Sequence, residues 1–280
     1  MEAFPTSPLI LDLETASAKS DQSPQRIFML GALRPDTGKS LELKITRATP
    51  LDAALEQLQD LARGADCLVG HNILAHDLPV LAEYQPDHTL FKLPVIDTLR
   101  LSPLSFPQNP YHRLIKDYKL VRDALNSPLA DCRATWELFQ DQCEAFRRLN
   151  ETHHPELRCY QALASADSST ATAALIASMT GQSPLSDREL AGQIPALLSE
   201  HDPSLGYDLK VCRSALNRLL AEELSEPLQR WSLAYALAWL RVSGGNSVLA
   251  PWVYHQFPST GKFIRELRDS PVPHQTVSTA

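Results

Sequence analysis

Residues 8–15 read Pro8-Leu9-Ile10-Leu11-Asp12-Leu13-Glu14-Thr15. A short apolar run predicts a strand, but two acids interrupt this one, and they stand two positions apart. In a strand that spacing sends both side chains off one face. Asp12 lies between leucines, where a carboxylate is expensive to bury without a cation or a hydrogen-bonding partner. Asp12 and Glu14 are therefore candidate ligands on the first strand of a sheet.

Working outward, Arg26–Leu33 (RIFMLGAL) and Ser40–Thr46 (SLELKIT) read as the next strands, with Pro35-Asp36-Thr37-Gly38 as the turn between them. The three form an antiparallel meander. Leu51, Ala54, Leu55, Leu58 and Leu61 recur at three and four residues, which predicts an amphipathic helix over 51–63 with Gly64 as its C-cap. Cys67–Gly70 is a strand, Asp77–Tyr84 a helix and Pro94–Thr98 a strand. The order β-β-β-α-β-α-β predicts an α/β domain. Residues 103–128 are dominated by prolines and polar residues, and Tyr111–Arg122 (YHRLIKDYKLVR) carries four cations against one acid. Ser127-Pro128 then opens a helix, as N-cap and first-turn proline, that runs to about Leu149. Residues 155–241 are rich in Ala and Leu, with polar breaks near 181–186, 201–206 and 225–227, which predicts four helices and no catalytic pattern. Leu233, Ala236, Leu237 and Leu240 form a helical stripe of core type. The expected division is a catalytic domain over 1–149 and a helical domain over 150–280.

The 280 residues are 44% hydrophobic and 21% charged, a globular rather than a disordered composition. The net charge of -7 is spread evenly, with -4 over residues 1–150 and -3 over 151–280, so neither half coats a duplex by bulk positive charge. A site that gathers carboxylates around cations also lowers the net charge, so nucleic acid is not excluded. Cys67, Cys132, Cys143, Cys159 and Cys212 are odd in number and never spaced as Cys-x-x-Cys, which argues against a disulfide framework and a zinc ribbon. The sequence predicts no signal peptide and no membrane span, and hence a cytoplasmic protein.

Two further acids stand where such a fold brings chain segments to the first strand. Asp77 opens the helix after Cys67–Gly70, within Gly70-His71-Asn72-Ile73-Leu74-Ala75-His76-Asp77-Leu78-Pro79-Val80-Leu81. Asp131 lies in the first turn after Pro128, within Leu129-Ala130-Asp131-Cys132-Arg133-Ala134-Thr135. Taken in order, these pieces resemble the DEDD superfamily of 3'-to-5' exonucleases. Ile10-Leu11-Asp12-Leu13-Glu14-Thr15 is similar to its first motif. Gly70-His71-Asn72 with His76 to Leu81 is similar to the second, where an aromatic usually stands at the place of His76. Val95-Ile96-Asp97-Thr98 is similar to the Asp-Thr strand that precedes the third motif, and Asp131 with Ala134-Thr135 to the end of the third. The resemblance covers residues 8–148.

The resemblance implies a ribonuclease-H-like fold: a mixed five-stranded sheet flanked by helices, here followed by a mostly helical C-terminal region. It also implies phosphodiester hydrolysis with two Mg²⁺ or Mn²⁺ ions, one held by Asp12, Glu14 and Asp131, with Asp12 bridging to a second near Asp77. Thr15 and Asn72 then line the 3'-terminal nucleotide. The His subclass has a histidine five residues before the last Asp, where this chain has Asn126. The Tyr subclass has a tyrosine four residues before it, where this chain has Ser127. An amide has no site that titrates near neutrality, so Asn126 can orient a water but not deprotonate it. His112 is a candidate substitute base or a surface histidine. Arg113, Lys116, Lys119 and Arg122 are candidate phosphate contacts or a solvated cationic loop. His71 and His76 suit packing or substrate contact.

Near the end, Pro251–Pro258 and Phe263–Asp269 resemble the linker of proteins in which such a nuclease is fused ahead of a RecQ-like DNA helicase. That implies a helicase partner or fused helicase, and single-stranded DNA 3' ends as substrate, with RNA as the alternative. A second reading is a catalytically weak or inactive nucleic-acid-binding or scaffold module of a helicase–nuclease assembly.

Overall fold

A computed structural model describes residues 4–16, 25–109, 127–200, 209–221, 225–243 and 249–268. Five strands, β1 (Pro8–Ala16), β2 (Arg26–Arg34), β3 (Lys39–Lys44), β4 (Cys67–Gly70) and β5 (Val95–Asp97), form one sheet in the order β3-β2-β1-β4-β5. β1, β2 and β3 are the expected antiparallel meander, while β4 runs parallel to β1 and β5 parallel to β4. This is the mixed five-stranded arrangement of the ribonuclease-H-like fold, with β1 at its centre.

Alternation along β1 decides what lies on each side. Leu9, Leu11 and Leu13 enter a core with Leu30, Leu55, Leu58, Leu68 and Leu81. Asp12 and Glu14 take the alternate positions, which in a strand belong to the other face. The helices of that core are α1 (Leu51–Ala62) and α2 (Asp77–Tyr84). α1 ends as its sequence requires: Gly64 takes φ +74 past the C-cap. The buried Arg34 guanidinium donates to the Leu61 and Arg63 carbonyls at 2.9 Å while paired with Asp36, occupying acceptors that the helix end leaves open.

The strand expected at Pro94–Thr98 shortens to Val95–Asp97 because Thr98 opens a helix, α3 (Thr98–Ser105). That helix falls where prolines led us to expect irregular chain. Pro103 sits inside it and withdraws one donor, and the segment stays helical around that gap. α4 (Pro128–Thr152) begins at the expected proline. Among the described residues five helices, against about four expected, then follow up to Ser243: α5 (His154–Ala164), α6 (Thr172–Thr180), α7 (Asp187–Glu200), α8 (Leu209–Leu220) and α9 (Pro227–Ser243). The additional break falls at Ser165–Thr170, where the Thr170 hydroxyl accepts the Thr172 N–H and caps a new start. α10 (Pro251–Gln256) and α11 (Ser259–Arg268) complete the described chain.

The chain forms two compact units. The first holds the sheet, α1, α2, α4 up to Glu144 and the segment Ser169–Leu175, whose Ala171 N–H donates to the Val95 carbonyl at 2.6 Å on β5. The second holds residues 102–109, the rest of α4, α5, α6 from Ile176 onward and α7 to α11. Within it α5 is buried from Glu156 to Ala164. Leu233, Ala236, Leu237 and Leu240 of α9 are buried as the stripe predicted; Trp231 is buried too, and its Nε1 donates to Asp167 at 2.8 Å. Phe257, Phe263, Ile264 and Leu267 of the terminal segment are buried as well, and Phe257 packs edge-on against Tyr235. Among the described residues no helix is long and apolar enough to cross a membrane.

Candidate active site

The site is assembled on β1, and Asp131 reaches it on α4. The seating of that helix depends on one residue of β2. Gly31 stands directly opposite Asp12 in the β1–β2 ladder. A Cβ on Gly31 would lie 2.4 Å from the Pro128 carbonyl carbon and 2.5 Å from the Leu129 nitrogen, so only glycine lets the first turn of α4 lie against the strand. Ser127 caps that turn by accepting the Ala130 N–H at 3.1 Å, and it donates to Glu42 of β3 at 2.6 Å. One turn further, Cys132 points its thiol at the Gly31 carbonyl, 3.3 Å away. Burial and the charges of Asp12, Asp77 and Asp131 push that thiol well above the ordinary range, so Cys132 is a protonated packing residue, not a nucleophile.

The outcome is that one carboxylate oxygen each from Asp12, Glu14 and Asp131 lies within 4.8 Å of the others, with Asp131 buried and the two β1 acids partly exposed. Oxygen ligands of Mg²⁺ or Ca²⁺ sit about 2.0–2.6 Å from the ion, so two ligands of one ion are at most about 4–5 Å apart. The three acids therefore fit a single hard divalent cation. Among the described residues this is the one group of three or more His, Cys, Asp or Glu with such spacing.

Immediately beyond the acid pair the β1–β2 register slips. Glu14 pairs with Met29 but Thr15 pairs with Ile27, leaving Phe28 as an extra residue on β2. Such a bulge re-aims the side chains that follow it. Here the Thr15 hydroxyl lies 3.1 Å from Gln25 Oε1 and 3.3 Å from His76 Nε2.

Asp77 arrives from the other neighbour of β1. Pairing between β1 and β4 stops at Ile10–Val69, and beyond that end the Leu13 N–H is taken by Asp77 Oδ1 at 2.8 Å. Asp77 is thus hydrogen-bonded to the backbone between Asp12 and Glu14, although it lies outside the three-oxygen cluster. Its second oxygen is 3.5 Å from His76 Nδ1. Burial raises the Asp77 carboxyl above its usual range, against the His76 contact and the backbone N–H bonds. His76 is raised too, chiefly by its bond to Asp77 and further by Asp12 and Glu14. The histidine standing where the resemblance leads one to expect an aromatic is therefore an electrostatic neighbour of three of the four acids.

The turn before Asp77 has its own anchor. Asn72 takes φ +62, in the left-handed region that asparagine tolerates better than most residues. Its N–H donates to Asp97 Oδ1 at 2.9 Å, the Leu74 N–H donates to Oδ2 at 3.2 Å, and the Leu99 N–H donates to Oδ1 at 3.0 Å. Asp97 is buried, and burial pushes its carboxyl up to about 6 against those three donors and Arg100. Beside it, the Thr98 hydroxyl donates to the Gly70 carbonyl at 3.2 Å and lies 2.9 Å from His71 Nδ1.

Of the sequence-predicted residues, Asp12, Glu14 and Asp131 converge, Asp77 and Thr15 adjoin them, and Asn72 shapes the turn that leads to Asp77. Asn126, His112, Arg113, Lys116, Lys119 and Arg122 lie outside the described residues. Sequence reasoning did not assign roles to Gly31 or Asp97. Each had a signal: a glycine inside a strand marks a close approach, and Asp97, like Asp12, is an acid that ends an apolar run.

No family model matches the chain, and no curated protein matches it. Among solved structures it is similar to the family B DNA polymerase from the hyperthermophilic archaeon Pyrobaculum calidifontis, at 15% identity and a TM-score of 0.33. The alignment covers 73% of this chain and 32% of the polymerase chain, so the likeness spans about a third of that protein.

Proposed function

We propose that this protein is a cytoplasmic, metal-dependent 3'-to-5' exonuclease that releases nucleotides from nucleic-acid 3' ends, single-stranded DNA ahead of RNA, in concert with a helicase. The observation that carries the reading is the meeting of Asp12, Glu14 and Asp131 within 4.8 Å, with Asp77 bonded to the intervening Leu13 N–H. The four acids follow the chain order of the exonuclease motifs, and all lie inside residues 1–149.

Asp12, Glu14 and Asp131 would hold one ion, Mg²⁺ or Mn²⁺, and Asp12 with Asp77 a second. When bound, such a pair supplies the activated water and the charge stabilisation that phosphodiester hydrolysis needs. The chain supplies position. Asp77 spends one oxygen on Leu13 and keeps the other toward His76. Thr15 and Asn72 would contact the terminal nucleotide, and His112, Arg113, Lys116 and Lys119 would contact its phosphates. Asn126 orients the attacking water without accepting its proton. General-base help is worth roughly 10²–10⁴-fold, so the neutral-pH rate falls short of that of a histidine-bearing site, and Asn126→His raises it.

The missing base also favours a second reading, a module that binds 3' ends and cleaves little. Incubating 3'-labelled DNA and RNA of one sequence with Mg²⁺, with Mn²⁺ and with chelator separates the two. Metal-dependent laddering from the 3' end, faster on DNA, supports the enzyme. Binding without products supports the module.

A further inference from the structure

We propose that Asp97 is a positioning residue for this site: through the turn at residues 71–76 it holds the Asp77 carboxylate on the Leu13 N–H. The inference rests on the reading of Asp77 as part of the catalytic carboxylate set.

Three observations carry it. First, both Asp97 oxygens are committed to backbone donors, and two of the three, Asn72 and Leu74, belong to the turn that leads into Asp77. Second, that turn contains a non-glycine residue at φ +62, a conformation that persists only where the surroundings over-determine it. The Asn72 carbonyl accepts the Ala75 and His76 N–H groups at 3.2 and 3.0 Å, and the Ile73 carbonyl accepts the Leu78 N–H at 3.0 Å. Turn and helix start are therefore one hydrogen-bonded piece, and the Asp97 carboxylate is its anchor at the sheet. Third, stability does not explain why this residue carries a charge. Burial outweighs the three N–H donors and Arg100 and raises the carboxyl to about 6, so carrying the charge above that pH costs folding stability. A charge retained against folding stability fits a residue kept for position.

Asp97→Asn is the test. Its amide oxygen can take the place of Oδ1 and keep the Asn72 and Leu99 donors, while the amide nitrogen replaces Oδ2 and sets a donor against the Leu74 N–H. Hydrogen exchange on the metal-free variant should show the Leu74 and Leu13 amides exchanging at least about tenfold faster, with Leu11 and Leu30 unchanged and Tm not lowered. In a Mn²⁺ titration followed by electron paramagnetic resonance, the ion assigned to Asp12 and Asp77 should lose at least about tenfold in affinity, while the ion assigned to Asp12, Glu14 and Asp131 is kept. If Leu74 is released but Leu13 exchange stays within about twofold of the wild type, Asp97 shapes only the turn and the proposal fails. General loss of protection with a lowered Tm would make Asp97 an ordinary structural residue and also overturns it. Asp97→Glu, which keeps the charge on a longer side chain, provides the same readout if the asparagine variant does not fold. Wild-type protein that binds no Mn²⁺ removes the cation reading alone, because the exchange measurement still decides whether Asp97 holds Asp77.

Discussion

Asp131 and Asp77 are brought to the same strand by unlike devices. Asp131 rides a 25-residue helix seated by contact, with the first turn of α4 lying on Gly31 where any side chain would overlap backbone. Asp77 opens an eight-residue helix whose preceding turn is held by hydrogen bonds to a buried carboxylate. Steric seating is insensitive to pH and fails abruptly when volume is added, because close-packed backbone cannot yield by fractions. Seating on a charge is graded and responds to protonation. One half of the site should therefore break with size and the other with charge.

The largest effect should come from the residue that both halves share. On the proposed reading, Asp12→Ala removes the carboxylate that both ions would share. It should cost on the order of 10³-fold or more in nucleotide release, together with Mn²⁺ binding at the Asp12–Glu14–Asp131 cluster. Release from a 3'-labelled oligonucleotide at an unchanged rate would remove the acids from the chemistry.

Gly31→Ala isolates the α4 side. The added methyl meets the Pro128 and Leu129 backbone at 2.4–2.7 Å, so helix or strand must move. Overpacking against backbone should cost about 3 kcal/mol, the upper part of the usual range, as read from the urea midpoint. Mn²⁺ affinity should fall with it as Asp131 is displaced. The Leu13 amide, held by Asp77, should keep its exchange protection, and its loss would show that the two arrivals are not independent.

That prediction also shows what the sequence could and could not disclose. β1, β4 and α2 were legible because apolar alternation and an acid at a helix start are local signals, and it was the resemblance that joined Asp12, Glu14 and Asp77 with Asp131 into one set. Gly31 in RIFMLGAL announces a close approach without naming the approaching element, which is distant along the chain. Asp97 was legible as the end of a strand, but its partners are backbone N–H groups, which every residue but proline carries, so no residue type betrays them. The terminal aromatics show the converse. Phe257 and Phe263 belong to the segment that resembles a helicase-fused linker, and both are buried; hydropathy alone does not say whether an aromatic meets a partner or its own helices.

The α2 side should show itself in the pH dependence of stability. Asp97 is raised from 3.8 to about 6 in the folded chain. Between those values the folded protein holds a proton that the unfolded chain releases, so stability falls as pH rises through that window, by about 3 kcal/mol. Below the window the cost is absent, and above it the cost is complete. Subtracting the urea-denaturation profile of Asp97→Asn from that of the wild type isolates this contribution from the other carboxylates. A flat difference across the window would mean that the carboxylate is not held against its burial.

Ser127→Ala is the smallest perturbation and the most discriminating for the α4 side, because it loosens the start of the helix without adding volume. The Ser127 hydroxyl accepts the Ala130 N–H and donates to Glu42 of β3, so its loss removes a cap and a tie to the neighbouring strand. The cap is worth about 1 kcal/mol. The exposed bond to Glu42 adds little, since solvent replaces it. The contact of Pro128 and Leu129 with Gly31 survives, and so does the Cys132 thiol on the Gly31 carbonyl. Stability should therefore drop by about 1 kcal/mol while Mn²⁺ affinity changes less than about threefold, which is under 1 kcal/mol. If Ser127→Ala weakens Mn²⁺ binding as much as Gly31→Ala does, Asp131 is positioned by its cap rather than by the glycine contact, and the contrast between size and charge does not hold.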